Sequence, residues 1–282
     1  MTMTSLVRVV TTDIIERAEG AALALPQVEC PLTHTFGPGV YMREVVIPAG
    51  SLVIGHHHNY EHTNIMLCGH VTSINEDGST TDFVAPMMYI GKPGRKVLYV
   101  HADTVWLNVF ATDETDVEVL EARLLTKSDT WFANAAVEKT VNLLMLQSDH
   151  NDYHQALGEF GITHEAAYAI ATDESDMIPL PFGSYKMSVS DSSIHGRGLF
   201  ATSPIAPGEL ISPARIDGKR TIAGRFTNHS SRPNARMVAC DNGDIVLVAT
   251  ADIAGAHGGQ VGQEITINYR EALSLGGEAC PQ

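Results

Sequence analysis

Three patterns of hydrophobic and polar residues follow one another along the chain. Residues 12–24 are rich in helix formers behind a Thr-Asp start, which predicts a short helix ended by Pro26. From Tyr41 to about Leu120 the pattern changes to short β-branched runs separated by turn signals such as Asp-Gly and Pro-Gly. Many short strands at such spacing predict a β-barrel or a β-sandwich.

The third pattern, from about 126 to 182, is helical. Ser128 and Ser148 each stand before an aspartate, as is typical of a helix start, and Gly161 is suited to end a helix. A further helical pattern covers 164–171. We interpret this stretch as a connection between two domains, and its histidines as surface side chains.

The order of these patterns divides the chain into three parts: a β-barrel or β-sandwich over residues 1–125, a helical linker segment over 126–182, and a further part over 183–282. The resemblances described below imply that the first part is a barrel and that the last part is β-rich, so we expect a mainly β chain. At 282 residues the chain is long enough for two domains, each with its own core.

Composition and charge narrow the classes of partner. No hydrophobic run is long enough to cross a bilayer, and the first residues lack the features of a signal peptide, so we expect a cytoplasmic protein with no membrane partner. A formal charge of −15 with 18 Lys and Arg argues against nucleic-acid binding and favours a basic partner. Four scattered cysteines without a Cys-x-x-Cys pair are typical of reduced thiols.

A histidine cluster in the barrel region is the first candidate for chemistry. Side chains alternate faces along a strand, so His56 and His58 are predicted to point into the barrel together while His57 points outward. His62 follows four residues later. Three neutral imidazoles can hold Zn, Fe or a similar divalent ion and leave positions open for water or a ligand.

This cluster, between Gly50 and Gly69, resembles the first motif of the cupin family, which has two histidines one residue apart and then an acidic ligand. The resemblance implies a cupin-like barrel, with His62 at the acidic position. Where the family has a further histidine, after a Pro-x-Gly turn, this chain has Lys96 and Val97, and the nearest histidine lies about 13 Å further along the strand, too far to share the ion.

Two interpretations of the barrel stay open: a metal-binding cupin that acts on a small molecule, and a barrel that has kept its fold and lost its chemistry. Pro38–Glu44 and Asp103–Phe110 are similar to segments of small cupin-like proteins of tailed bacteriophages. This resemblance implies a phage-encoded protein that works in the host cytoplasm. Such barrels often associate through their sheets, which implies a homo-oligomer.

Three short motifs in the last hundred residues are the second candidate. They are Gly-Arg-Gly at 196–198, Arg-Phe-Thr-Asn-His-Ser-Ser-Arg-Pro-Asn-Ala at 225–235, and Glu-Ile-Thr-Ile-Asn-Tyr at 264–269. Glycines let a backbone approach a ligand closely, and the N–H groups between them can hold a carboxylate. Each motif alone is weak, but the three in this order are not expected by chance.

Together the three motifs resemble the SET domain, a β-clip fold found in protein lysine methyltransferases that use S-adenosylmethionine (SAM). The resemblance covers about 183–275 and implies a minimal SET domain. It also implies a SAM-binding wall, formed by Gly196, Arg197, Gly198, Arg225, Phe226, Asn228, His229 and Asn234.

Tyr269 is the catalytic residue that the resemblance implies. Its phenol would help to align the target amine with the methyl group. Deprotonating a lysine of pKa about 10.4 at pH 7 costs about 4 to 5 kcal/mol, and a dry channel beside a sulfonium cation lowers that pKa. Alignment and electrostatics therefore suffice without a strong base.

The chain departs from the SET pattern in its substrate-binding part. The tract between Ile211 and Arg225 is short, Ile216-Asp217-Gly218 stands where the family has Tyr-x-Gly, and no cysteine-rich segment follows. Either the groove is completed by the helical segment, the barrel or another subunit, or the domain binds SAM with little activity.

The leading hypothesis from the sequence is a SAM-dependent protein lysine N-methyltransferase that acts on a lysine in a basic protein segment. One alternative is a metal-binding cupin acting on a small molecule. The other is a non-catalytic phage interaction or structural protein with a degenerate SET domain.

Overall fold

The computed structural model describes residues 10–75, 78–135, 147–258 and 260–275. The fold is mainly β, which confirms that part of the prediction. The helices whose full length is described are α1 (Thr12–Leu23), α2 (Val117–Leu124), α3 (Gln147–Glu159), α4 (His164–Thr172), α5 (Ile222–Phe226) and α6 (Tyr269–Leu275). None of them is long and apolar enough to cross a membrane.

The N-terminal part is built on a large antiparallel sheet. Its strands, with a separate short pair, are β1 (Leu32–Gly37), β2 (Val40–Ile47), β3 (Leu52–Ile54), β4 (His57–His58), β5 (His62–Ile74), β6 (Thr80–Val84), β7 (Met87–Gly91), β8 (Val97–Ala111) and β9 (Leu125–Thr126). With β10 (Gly183–Tyr185) added from the C-terminal part, the order across the sheet is β10-β1-β2-β8-β5-β6, with β3 paired to β8 and β7 to β5, whereas β4 pairs with β9. The long strands β5 and β8 form its centre.

A bulge in β5 changes which residues face inward. Before the bulge the even-numbered Asn64 is buried, and after it the odd-numbered Val71 is buried. The shift turns His70 to the outer face of the sheet. Gly69 sits in the bulge with φ at 105°, and a Cβ there would lie 2.1 Å from the hydroxyl of Thr104, so the position requires glycine.

The C-terminal part consists of two small sheets. Their strands, with one that joins the large sheet, are β10 (Gly183–Tyr185), β11 (Met187–Asp191), β12 (Arg197–Ala201), β13 (Leu210–Ile216), β14 (Lys219–Arg220), β15 (Asn228–His229), β16 (Ala235–Ala239), β17 (Ile245–Ala249) and β18 (Glu264–Ile267). The orders are β11-β12-β18-β15 and β14-β13-β17-β16. The pair β15 and β18 is parallel, which places the Asn-His motif beside the Glu-to-Tyr motif.

The two β-rich parts share a hydrophobic core. Strand β10 pairs with β1 of the large sheet, and one cluster of buried side chains joins Phe36 and Tyr41 to Leu199 and Ile265. The division into domains at 125 and 182 stays a prediction.

The helical connection agrees with the sequence where the structure describes it. Helix α3 begins at Gln147, close to the start expected at Ser148, and ends before Gly161. Helix α4 is capped by the Thr163 hydroxyl, which accepts from the backbone N–H of Ala166 at 3.2 Å. The helix expected to run from Ser128 through 138 is helical over 129–135, and the rest of it lies outside the described residues.

Candidate functional site

The large sheet curves around a cavity of about 220 Å³. Strands β2, β3, β5 and β8 all contribute lining side chains. His56, His58 and His62 reach this cavity, as the sequence predicts, while His57 is exposed. The alternation of faces along β4 is the reason.

The three histidines are packed against aromatic neighbours. The rings of His58 and His62 stack with centroids 4.3 Å apart, and His56 meets Trp131 edge-on at 5.5 Å. Burial lowers the pKa of both His56 and His58 to about 3, with Arg43 adding to the effect, so both rings are neutral at neutral pH. The one group of described residues whose ligand atoms all lie within 4.8 Å of one another is elsewhere, so the nitrogens of these three histidines do not all lie that close together, and their role as metal ligands stays a prediction.

Four residues that line this cavity each carry a buried polar atom without a partner. Those lacking a hydrogen bond are Arg43 Nε, His56 Nδ1, His58 Nδ1 and Asn64 Nδ2. The orientation of the Asn64 amide is fixed, because its Oδ1 accepts hydrogen bonds from Trp106 Nε1 at 2.8 Å and from Asn108 Nδ2 at 2.9 Å. Buried polar groups are normally paired, so these four atoms represent hydrogen-bonding capacity that the protein itself does not use.

The charge of the cavity is opposite to that of the whole protein. Its lining, among the residues that the structure describes, contains Arg43, Lys92 and Lys96 and no carboxylate. The Lys96 ammonium lies 4.6 Å from the centre of the Tyr89 ring and contacts its hydroxyl, and burial lowers the pKa of Lys96 to about 8. Lys96 therefore remains mostly protonated at pH 7.

The three C-terminal motifs meet around the side chain of Asn228. Its Nδ2 lies 3.2 Å from the backbone oxygens of His195 and Arg197 and 2.8 Å from the carboxylate of Glu264. Ser192 donates to the same carboxylate at 2.8 and 2.9 Å. Burial raises the pKa of Glu264, although these hydrogen bonds act in the opposite direction. Asn228 thus joins the Gly-Arg-Gly turn to strand β18.

The neighbouring motif residues complete this wall. Asn234 bonds the backbone of β18 on both sides, donating to Glu264 O at 2.8 Å and accepting from the Thr266 N–H at 2.9 Å. His229 Nδ1 accepts from the Tyr269 N–H at 3.1 Å. Its Nε2 therefore carries the proton and donates at 2.9 Å to Asp152 of helix α3.

Arg197 packs between an aromatic ring and an acidic side chain. Its guanidinium lies 4.4 Å from the centre of the Phe226 ring, on which Arg225 also stacks at 5.3 Å, and it pairs with Glu118 of helix α2. Burial is the main cause that lowers the pKa of Arg197. Its Nε is buried and has no hydrogen-bond partner.

The two glycines of the turn differ in their surroundings. Gly196 has a positive φ of 53° and open space where a Cβ would stand. A Cβ on Gly198 would lie 2.2 Å from Glu264 Oε1. Gly198 therefore allows close packing within the protein, whereas Gly196 borders open space.

Tyr269 lies beside a second tyrosine that the sequence did not suggest. The ring of Tyr153, from helix α3, is 5.9 Å from that of Tyr269 and 6.3 Å from that of His229. The Tyr269 hydroxyl donates to Thr227 O at 3.3 Å. Burial raises the pKa of Tyr269, with Tyr153 and Glu264 adding to it, so the phenol stays protonated at neutral pH.

Comparison with known proteins gives similar folds at low identity. No family model and no curated protein matches the chain. Similar solved structures include a cupin domain from Bordetella pertussis, at 14% identity over 32% of this chain and 99% of that chain with a TM-score of 0.27. Ectoine synthase from P. lautus is 18% identical over 46% and 94% of the two chains, with a TM-score of 0.27.

An acetylacetone dioxygenase from Acinetobacter johnsonii is 14% identical over 30% of this chain and 67% of that chain, with a TM-score of 0.24. At these identities and TM-scores the likeness carries no argument about activity, ligand or partners. Any functional conclusion has to rest on the residues of this chain.

Several residues of both sites were missed by sequence reasoning. In the barrel, Arg43 and Asn64 are single polar residues within strands, a pattern that also fits exposed strand positions. At the wall, Asp152 and Tyr153 lie on a polar helix about 77 residues before the Asn-His motif, and only the fold brings them together. No local sequence signal could have found them.

Proposed function

We propose that the barrel cavity of this protein binds a small organic anion. The observation that carries the proposal is a cavity with cationic residues, no carboxylate among its described lining residues, and unpaired buried donors. A carboxylate ligand would accept hydrogen bonds from Arg43 and Asn64 and would offset the positive charge of Lys96. The apolar lining beside them, including Trp106, favours an organic rather than an inorganic anion.

The histidines supply shape and donors in this proposal, and no step is assigned to a metal. His56 and His58 are neutral and each has a free buried nitrogen, but with His62 they do not converge on one point. A neutral imidazole can donate to a bound carboxylate without the cost of burying a third charge.

Calorimetric titration of the full chain with malonate, succinate and citrate tests this proposal. We expect at least one of them to bind, and Arg43→Gln to weaken that binding by about ten-fold or more, because a lost charged hydrogen bond costs about 1.5 to 3 kcal/mol. Arg17→Gln is the matched control, because Arg17 is exposed on helix α1. Binding that is absent in the wild type, or equal in Arg43→Gln, contradicts the proposal.

A second candidate function, SAM-dependent methyl transfer to a protein lysine, is favoured by a different observation. Segments more than thirty residues apart meet at Asn228, whose amide bonds the Gly-Arg-Gly turn and Glu264. Burying polar groups costs free energy unless they are hydrogen-bonded, and a fully paired network of this kind holds the segments around it in one rigid arrangement. When bound, SAM would supply an activated methyl group.

The residues that fit such a cofactor are those with an unpaired hydrogen-bond donor or with open space beside them. Arg197 Nε is an unpaired buried donor suited to a carboxylate, and Gly196 leaves open space at the turn. The amide of Asn228 is engaged within the protein, so its part is to hold the wall together.

Tyr269 and Tyr153 would flank the incoming lysine. The protonated phenol of Tyr269 can accept a hydrogen bond from the amine and orient its lone pair, and the two rings exclude water. Exclusion of water lowers the pKa of the amine and so favours its neutral form. A basic peptide segment fits an acidic protein of charge −15.

Titration with SAM and a methyl-label transfer assay test this second function. We expect SAM to bind the wild type, Arg197→Gln to weaken binding by about ten-fold, and Tyr269→Phe to retain binding but lose transfer to lysine peptides or to the protein itself. Tyr168→Phe, an exposed tyrosine of helix α4, is the control. Absence of SAM binding rules out this function and leaves a scaffold role for the C-terminal part.

A further inference from the structure

Three side chains on the outer face of the large sheet converge away from both sites described above. They are His70 on β5, Asp82 on β6 and His101 on β8, and one ligand atom from each lies within 4.8 Å of the other two. The two imidazole rings stack with centroids 4.4 Å apart, and His70 Nε2 lies 3.9 Å from Asp82 Oδ1.

The β5 bulge brings these residues to one surface. Uninterrupted alternation from Asn64 would point His70 into the barrel, and the phase shift points it outward instead. Strands β6 and β8 flank β5 on its two sides, and their Asp82 and Tyr99 both pair with Thr72. Outward positions on three adjacent strands therefore meet.

Polar contacts hold this group in place and leave one ligand atom free. The Thr72 hydroxyl donates to Asp82 Oδ1 at 2.5 Å and lies 2.7 Å from His101 Nε2. His70 Nε2 is buried and has no hydrogen-bond partner. This nitrogen lies beside a carboxylate and a second imidazole, so the three side chains together offer nitrogen and oxygen ligand atoms at close range.

We propose that His70, Asp82 and His101 bind a divalent transition-metal ion of the Zn²⁺, Co²⁺ or Ni²⁺ class. Two imidazoles and one carboxylate suit these ions, whereas Mg²⁺ and Ca²⁺ prefer sites made of oxygen ligands. Three protein ligands leave coordination positions for water. The net charge of −15 raises the concentration of cations near the surface. This site does not depend on either proposed function.

Calorimetric titration of the metal-free full chain with Zn²⁺ tests the site. We expect the wild type to bind the ion. The affinity should fall by about ten-fold or more in His101→Ala and in Asp82→Asn, since even changes to residues that only support the ligands cost about 10- to 100-fold in affinity. The matched control is His57→Ala, which removes an exposed histidine from the same part of the chain. It should bind like the wild type.

Two other histidine groups could capture zinc, and variants distinguish them. His150 and His154 lie one turn apart on helix α3, with Nε2 atoms 3.3 Å apart, and His56 and His58 line the barrel. The ion should persist in His154→Ala and in the double variant His56→Ala/His58→Ala. Loss of the ion in either of these, with retention in His101→Ala, overturns the proposal.

Thermal unfolding gives a readout that does not depend on activity. Because the ion would link three strands of the folded sheet, Zn²⁺ should raise the Tm of the wild type and of His57→Ala but not that of His101→Ala or Asp82→Asn. His101 and Asp82 are exposed, so both variants are expected to fold. An equal zinc-induced rise in all four proteins contradicts the site.

Discussion

At the scale of single residues, a buried histidine makes the stability of the fold depend on pH. His34 is completely buried, its Nδ1 lies 2.6 Å from the Tyr41 hydroxyl, and its Nε2 has no partner. Burial lowers the pKa of His34 to about 4, with a smaller opposing effect of Glu121. The ring is therefore neutral in the folded protein at pH values where the unfolded chain binds a proton.

The sign of the effect follows from proton counting. Between pH 6.5 and 4 the unfolded state binds more protons than the folded state, so stability falls as the pH falls through this window. We expect His34 to account for about 2 kcal/mol of lost stability between pH 7 and pH 5. Urea unfolding of His34→Gln should show an acid limb that is shallower by this amount. His57→Gln, at an exposed position, should follow the wild type, and superimposable profiles for all three would refute the prediction.

The close approach of Gly198 to Glu264 gives a second test at this scale. In Gly198→Ala the new Cβ would meet Glu264 Oε1 at 2.2 Å and disturb the carboxylate that Asn228 and Ser192 share. We expect a loss of about 1 to 3 kcal/mol in the free energy of unfolding, as for an overpacked site.

The matched glycine is Gly158 in helix α3, where a Cβ meets nothing within 4 Å and φ is helical. Gly158→Ala should be neutral or stabilising by up to about 1 kcal/mol. If both variants unfold at the same urea midpoint, the crowding at Gly198 has no energetic consequence.

At the scale of elements, helix α3 is fastened to the C-terminal wall by its acidic side chains. Asp152 accepts from His229 Nε2 and from Arg270 Nη1, both at 2.9 Å, and the Arg270 Nε donates to Glu159 at 2.6 Å. The hydrogen bonds from Arg270 and His229 lower the pKa of Asp152. Asp149 Oδ1 also accepts a hydrogen bond from the Ser231 hydroxyl at 2.7 Å and one from the Ser231 backbone N–H at 2.9 Å.

We predict that Asp152→Ala loosens this helix without unfolding the protein. Since the contacts are partly exposed, the cost should be about 1 kcal/mol, and hydrogen exchange of the α3 amides should accelerate by about five-fold. Glu165→Ala on helix α4 removes a charge from an exposed neighbouring helix and is the control. Unchanged exchange in Asp152→Ala would mean that the Asp149 and Glu159 contacts, with the packing of Tyr153, hold the helix without Asp152.

Local patterns and long-range contacts differ in how far the sequence reveals them. The helices near 12–24, 148–161 and 164–171 and the inward direction of His56 and His58 depend on neighbouring residues, and the structure agrees with each. The outward position of His70 could not be predicted from the sequence, because a bulge depends on the partner strand rather than on local composition. Tyr153 was not linked to Tyr269, since nothing near either residue encodes their contact.

At the scale of the whole molecule, one core joins the two β-rich parts. The cluster that contains Phe36 also contains Leu199, and β10 extends the sheet of the N-terminal part. Elements that share a core and a sheet are expected to unfold together.

We therefore predict a single unfolding transition for the full chain. Trp106 and Trp131 report on the N-terminal half by fluorescence, whereas far-UV circular dichroism reports on all strands and helices. The two midpoints in urea should coincide within experimental error. A second transition seen by circular dichroism alone would show that the C-terminal part unfolds independently.

The positive cavity inside a negative protein also affects how a ligand arrives. With a formal charge of −15, the surface repels an approaching anion, while Arg43 and Lys96 attract it only at short range, within the cavity. Added salt screens the long-range repulsion more than the contacts inside the barrel. Ligand association should therefore become faster as ionic strength increases, the reverse of the salt dependence in proteins that steer oppositely charged ligands by their overall field.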